Sequence, residues 1–295
     1  MYSIGDIKDR LNEVQTLQGL VSAYEEISSI RMKKTRDSVL TNRSFQDEID
    51  EIFDQLRMSY VREIANLAKK SNKRGENITF LPHNGKTVAV LLSANTGLYG
   101  DIVGKTFQLF LSEARKGDNE ITIVGRHGLS LFLSEAVGRP YTFFEFPDYG
   151  ENKSQLAEII KHVVQYEEIH VYYGKFKNVI TQDATEFSVS AEITKLSKTT
   201  EKPVAYLFEP SLEKILIFFE TEIFASLFEQ AVKESQLAKF ASRFLAMDRA
   251  RGNIDIELKK LQFENIRIAH NIINRKQLNT LSSTYTIGKG GNHGR

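Results

Sequence analysis

The chain has 295 residues, 26% of them charged and 41% apolar, with a net charge of +1 and no cysteine. Such a balance gives no global pull towards nucleic acid or an acidic membrane, and the missing cysteine excludes disulfides, thiolate catalysis and cysteine-bound metals. There is no uninterrupted apolar run of about eighteen residues and no apolar signal core in the first thirty, so the sequence reads as a soluble protein without a spanning helix.

Residues 1–70 read as one long helix, with two glycines (Gly5 and Gly19) and no proline. Apolar positions recur alternately at three and four residues through Ile7, Leu11, Val14 and Val21, the beat of a helix that wraps a partner. The same seam turns polar at Gln18, Glu25 and Ser28. Polar seam residues cost a two-helix core stability, so this section is expected to face other subunits or water, ahead of a role in register. Arg31, Lys33, Lys34 and Arg36 follow as a basic cluster. On an isolated helix such a cluster is most simply a solvated face.

Residues 71–86 carry Gly75, Pro82, Asn84 and Gly85 and read as a hinge or loop. A head domain is expected over 87–210. Thr87 to Ser93 is a continuous apolar run, the mark of a strand buried on both faces. A helix from Asp101 to Arg115, a strand from Ile121 to Val124, a further helix, a strand within Tyr141 to Phe146, a helix from Lys153 to Tyr166 and a strand from Ile169 to Tyr173 complete an alternation typical of a mainly parallel α/β sheet. Phe176 to Leu196 alternates apolar and polar residues, which predicts exposed antiparallel strands. Val204 to Phe208 then leads through Glu209 and Pro210 into the last element.

Two turns in the head invite chemistry. Gly100-Asp-Ile-Val-Gly104-Lys105-Thr106 ends like a phosphate-cradling loop, but only three residues separate its glycines, and the motif requires four. Gly104 to Thr106 also lie inside the predicted helix, where the phosphate site needs its start. Gly104 is therefore expected at a helix packing contact. Gly125-Arg126-His127-Gly128 offers an arginine and a histidine at a strand-to-helix turn, expected to face solvent rather than an anion. The six histidines show no ligand spacing, so neither metal nor cofactor nor catalytic residue is assigned.

Residues 211–287 read as a single long helix opened by Pro210, which suits a first turn. Its heptad seam runs through Leu237, Phe240, Phe244, Met247, Ile254, Leu258, Leu261, Ile268 and Ile272, with Arg251 and Asn265 as polar interruptions. At 1.5 Å per residue it would reach roughly 110 Å, more than a compact domain can hold, so most of it is expected to project as a rod. The N-terminal seam is its one candidate partner. The expected fold is α/β: an antiparallel coiled coil of long N- and C-terminal helices, with a Rossmann-like head and a mainly parallel sheet. Residues 288–295 read as a glycine-rich flexible tail.

These pieces resemble the gamma subunit family of the rotary ATP synthase. The likeness rests on Val14-Gln15, Gln18, Ala23, Glu25, Ser28 and Met32-Lys33-Lys34; on Ser93-Ala-Asn-Thr-Gly97-Leu98-Tyr99-Gly100; on Val124 to Gly128, Lys175-Phe176 and Tyr206 to Pro210; and on Ser242-Arg243-Phe244-Leu245-Ala246-Met247 with Asn253. The resemblance implies a non-catalytic rotor shaft that couples proton flow to ATP synthesis or hydrolysis. The implied partners are the alpha and beta subunits, the epsilon subunit and the membrane c-ring, at the cytoplasmic face of the cell membrane as a peripheral part of the complex. It marks Arg31, Met32, Lys33, Lys34, Arg36, Arg243, Met247, Arg251, Arg275 and Lys276 as contacts to the alpha/beta hexamer, with the basic cluster facing acidic loops of beta. The sequence departs from the family pattern at Asn95-Thr96, where the family has Asp-Arg, at Tyr99, where it has cysteine, and across Ala269 to Lys276, where an arginine is lost and an acidic position becomes lysine. A gamma-like paralogue in a different ATP-driven machine is the alternative, followed by a coiled-coil scaffold and an α/β small-molecule-binding enzyme.

Overall fold

The computed structural model describes residues 4–59, 84–150, 152–188 and 211–289. The expected hinge at 71–83, the strand at 204–208, Pro210 and the end of the tail at 290–295 lie outside these. The elements in chain order are α1 (Ile4–Ser59), β1 (Thr87–Leu92), α2 (Ile102–Ala114), β2 (Glu120–Val124), α3 (Arg126–Ser134), β3 (Thr142–Phe144), α4 (Lys153–Val163), β4 (Glu168–Phe176), β5 (Gln182–Ser188) and α5 (Leu212–Lys289). The chain divides into two compact units, residues 27–246 and residues 1–26 with 247–295.

The larger unit is built on a five-stranded sheet of order β3-β2-β1-β4-β5. β1 pairs in parallel with β2 and β4, β2 with β3, and only β5 runs antiparallel, against β4. Side chains alternate across β1, which sends its residues into two cores. Val88, Val90 and Leu92 pack with Leu156, Ile159 and Val163 of α4 and with Phe224, Phe228 and Ala231 of α5. Ala89 and Leu91 pack with Phe107 and Phe110 of α2 and Phe132 of α3. Burial on both faces is why β1 reads as an unbroken apolar run. Asn152 starts α4 by accepting the Gln155 amide at 3.3 Å.

Part of α5 is thus a layer of the head. Every residue from Ala231 to Arg243 is buried, because in this unit the helix meets the sheet on one side and α1 on the other. On α1, the buried or half-buried positions Ser28, Met32, Thr35, Val39 and Asn42 keep the alternating spacing of three and four.

In the smaller unit the same beat continues through Ile7, Leu11, Val14, Gln18, Val21 and Glu25, opposite Met247, Ile254, Leu258, Leu261 and Ile268. Three cross-helix pairs fix the direction: Arg10 with Glu257 at 3.5 Å, Gln18 with Asp255 at 2.7 Å, and Glu25 with Arg251 at 3.3 Å. Partner numbers fall as the α1 numbers rise, so the two helices are antiparallel.

Two expectations are corrected here. The polar seam section does not face water or await other subunits. Ser28 is fully buried, the Glu25 side chain is 13% exposed, and Gln18 and Glu25 are bonded to α5. A polar residue whose one partner sits at one height fixes register, and that is their role. The seam also ends earlier than the heptad count suggests, since Ile272 is exposed.

Candidate functional site

In an open sheet wound in both directions, ligands bind in the crevice beyond the carboxyl ends of the strands, where the strand order reverses. Here that point lies between β1 and β4. The chain fills it with its own helix. Lys239 of α5 donates from Nζ to the Ser93 carbonyl just past β1 at 2.7 Å and stands 3.6 Å from Asp148. One turn on, Arg243 donates to the carbonyls of Leu98 (3.0 Å) and Gly97 (2.8 Å) and stacks over the Tyr99 ring at 3.7 Å.

Local sequence permits this close approach. Gly100 has a φ of +60°, and a Cβ there would lie 2.9 Å from the Ser242 carbonyl oxygen. At Gly174 a Cβ would come within 2.7 Å of Ile102 and 3.4 Å of Ala238. Glycine lets backbone meet the Ser242 backbone at position 100 and leaves room for the Ile102 and Ala238 side chains at position 174.

Asp148 organises the turn from below. Its carboxylate accepts the amides of Asn95 (2.9 Å) and Thr96 (3.0 Å) and the Thr96 hydroxyl (3.0 Å). Asn95 in turn donates to the Phe146 carbonyl and accepts the Arg126 amide at the start of α3. Gln236 donates to the carbonyls of Pro147 and Gly150. Burial lowers the pKa of Lys239, with Asp148 opposing the shift. Burial, helped by Asp148, raises that of Tyr99.

The two tempting motifs are consumed by this framework. Thr106 is buried and gives its hydroxyl to the Ile102 carbonyl, while Lys105 pairs with Asp101 at 2.7 Å. Gly104 faces open space, so the expected packing contact there is wrong. Gly100 makes it instead. At the second turn the Arg126 and His127 amides are bonded to Asn95 and to the Ala94 carbonyl, and the Arg126 side chain pairs with Glu145 at 2.6 Å. The start of α3 is therefore not left open for an anion. Among the described residues no group of three His, Asp or Glu could hold a metal ion.

The residues singled out in sequence are not brought to one place. Arg243 is 5% exposed and spends its guanidinium inside the chain. Met32 packs with Tyr99, Ala238 and Phe240, and Met247 is buried in the smaller unit. Arg251 is tied to Glu25 and Asp248. Arg275 and Lys276 are exposed on α5. The basic cluster splits: Arg31 lies against the rings of Tyr149 (4.8 Å) and Phe240 (5.8 Å), whereas Lys33 and Arg36 are exposed.

Lys239, Asp148 and Tyr149 escaped the sequence reading. The available signal was Gln236, Lys239 and Arg243, polar residues on one helical face amid Leu237, Ala238, Phe240 and Ala241. Asp148 offers no such pattern.

A family model described as ATP synthase matches residues 3–273. The ATP synthase gamma chain of Geobacter sp. (strain M21) is 23% identical, over 97% of this chain and 99% of its own. That of Mesoplasma florum (strain ATCC 33453) is 24% identical over 92% of each. Among solved structures, a chain in the central stalk and c-ring of the Tetrahymena thermophila mitochondrial ATP synthase has a TM-score of 0.54 at 20% identity, covering 78% of this chain and 99% of that one. A chain in the Euglena gracilis mitochondrial ATP synthase gives 0.53 at 14% identity, covering 90% and 97%. These two share the fold.

Proposed function

Because this chain belongs to the ATP synthase family, whose model it matches over residues 3–273, we propose that it is the central rotor shaft subunit of a rotary ATP synthase. It couples proton flow through the membrane sector to ATP synthesis or hydrolysis at a hexamer of alpha and beta subunits. It carries no bond chemistry itself. The observation that carries this reading is the plugged crevice: Lys239 and Arg243 bolt the long helix to the very turn where an α/β enzyme would hold its ligand. A fold that gives up its ligand site to anchor a helix is suited to transmit force.

On this reading the head is the foot of the shaft, meeting an epsilon subunit and the c-ring. The paired terminal helices stand within the hexamer. Lys33 and Arg36, both exposed, meet acidic loops of beta, with Arg31, Lys34, Arg275 and Lys276 as further cationic contacts. Placement at the cytoplasmic face of the cell membrane, as a peripheral part of the complex, follows from these partners. Among the described residues no helix is long and apolar enough to cross a membrane.

The departures at Asn95, Thr96 and Lys276 favour a second reading, a gamma-like rotor in another ATP-driven machine. Co-purification from the native cell decides between them. Recovery with alpha, beta, epsilon and c subunits, and loss of ATP-driven proton pumping on deletion, is expected of the synthase. Recovery with alpha- and beta-type subunits but no c-ring selects the paralogue. Nucleotide turnover by the isolated chain would falsify both.

A further inference from the structure

Arg31, Lys34, Thr35 and Ser38 share one face of α1, at spacings of three, four and seven. Opposite them lie Lys233 and Gln236 of α5 and the Tyr149–Gly150 turn. Lys34, Thr35, Ser38, Tyr149, Gly150, Lys233 and Gln236 line an open cleft of about 320 Å³. That is the lower end of the range for small-ligand pockets.

The lining is mainly hydrogen-bond donors. Among the described residues Lys34, Thr35 and Ser38 make no hydrogen bond or ion pair within the chain, although Thr35 is 6% exposed. Lys233 is buried, with its ammonium 2.6 Å from Glu229. Gln236 holds the turn in place through Pro147 and Gly150. Arg31 adds a second cation without a carboxylate partner among the described residues, held over Tyr149 at the pocket wall. Glu229 offsets Lys233, so Lys34 is the lining's uncompensated cation, with Arg31 behind the Tyr149 ring.

Two facing helices with unspent hydroxyls, an unpaired ammonium and a rigid turn make a site for a small anion with several oxygens. We propose that this pocket binds an oxyanion of the phosphate class, with Lys34 as the charged contact and the Thr35 and Ser38 hydroxyls as donors. The anion is free phosphate or the terminal phosphate of a nucleotide. A tetrahedral oxyanion matches three donors from different directions better than a halide does. The site adjoins the crevice filled by Lys239 and Arg243 without using either residue, and a ligand there would bridge α1 to α5, stiffening the pair.

The test is calorimetric titration of the full-length chain with inorganic phosphate, and separately with ADP, at constant ionic strength. Saturable phosphate binding is expected, weakened about tenfold by Lys34→Gln and by the Thr35→Val, Ser38→Ala pair. Lys161→Gln, the same charge change on the exposed side of α4, is expected to leave it unaltered. Tighter binding of ADP assigns the site to a nucleotide phosphate, and weaker binding to the free ion. No saturable binding of either ligand, or an equal loss with Lys34→Gln and Lys161→Gln, overturns the proposal.

Discussion

The Arg243 guanidinium carbon stands 3.7 Å from the centre of the Tyr99 ring, while the same group donates to the Gly97 and Leu98 carbonyls. One side chain on the long helix therefore holds both the backbone and the ring of the first head turn. Arg243→Ala leaves two inward-facing acceptors without a donor and is expected to cost about 3 kcal/mol. Arg243→Lys should recover less than half, since an ammonium cannot fork to two carbonyls and stack at once. Denaturant titration measures both, and a loss within experimental error for Arg243→Ala would remove the clamp.

Gly100 and Gly104 make a matched pair. At Gly100 a side chain meets the Ser242 backbone and φ is +60°, whereas at Gly104, inside α2, it meets nothing. Gly100→Ala is expected to destabilise by about 2 kcal/mol or more, and Gly104→Ala to stabilise by roughly 0.5–1 kcal/mol. Thermal melting of the two variants gives the order directly. The reverse order would mean that α5 does not press on this turn.

Lys239 and Asp148 lie 3.6 Å apart with side chains 8% and 11% exposed. Asp148→Asn strands a buried ammonium against a single carbonyl and is expected to cost about 3 kcal/mol. Lys239→Met should cost less, because Asp148 keeps three donors of its own. The double variant is expected to be more stable than the sum of the two losses by about 1 kcal/mol or more. Strict additivity in the cycle would show that the pair does not act as a unit.

Acid sensitivity is expected from His162. Its ring packs against Phe144 and Tyr166, and burial lowers its pKa below the ordinary 6.5. Between the folded and unfolded values the unfolded chain holds more protons, so this stability is present at neutral pH and is lost as pH falls below 6.5. The melting temperature of the native chain should drop over that interval more steeply than that of His162→Gln. Parallel pH profiles would assign the acid response elsewhere.

The periodic elements were legible in the sequence. A heptad beat at Ile7, Leu11 and Val14, answered at Leu258 and Leu261, predicts a paired helix because spacing alone sets which face is buried. β1 was legible because its burial on both faces leaves only one composition. What sequence could not supply was the partner across space. Glu25 looked out of place in a seam until Arg251 stood opposite. Arg243 looked like a surface contact because nothing local shows that Gly97, Leu98 and Tyr99 enclose it. Asp148 sits in an irregular turn with no period, so its three donors were invisible. Residues 231–243 also exceeded a heptad reading, since their polar residues, Gln236, Lys239 and Arg243 among them, are buried with the apolar ones instead of marking a solvent face.

The most direct measurement is single-molecule rotation. The chain is assembled with alpha and beta subunits fixed to a surface, and a probe is attached to α4 of the head. Turning of the probe in one direction on addition of ATP is the expected result, slowed or lost when Arg243→Ala loosens the joint. Full ATP hydrolysis with a stationary head contradicts the rotor assignment.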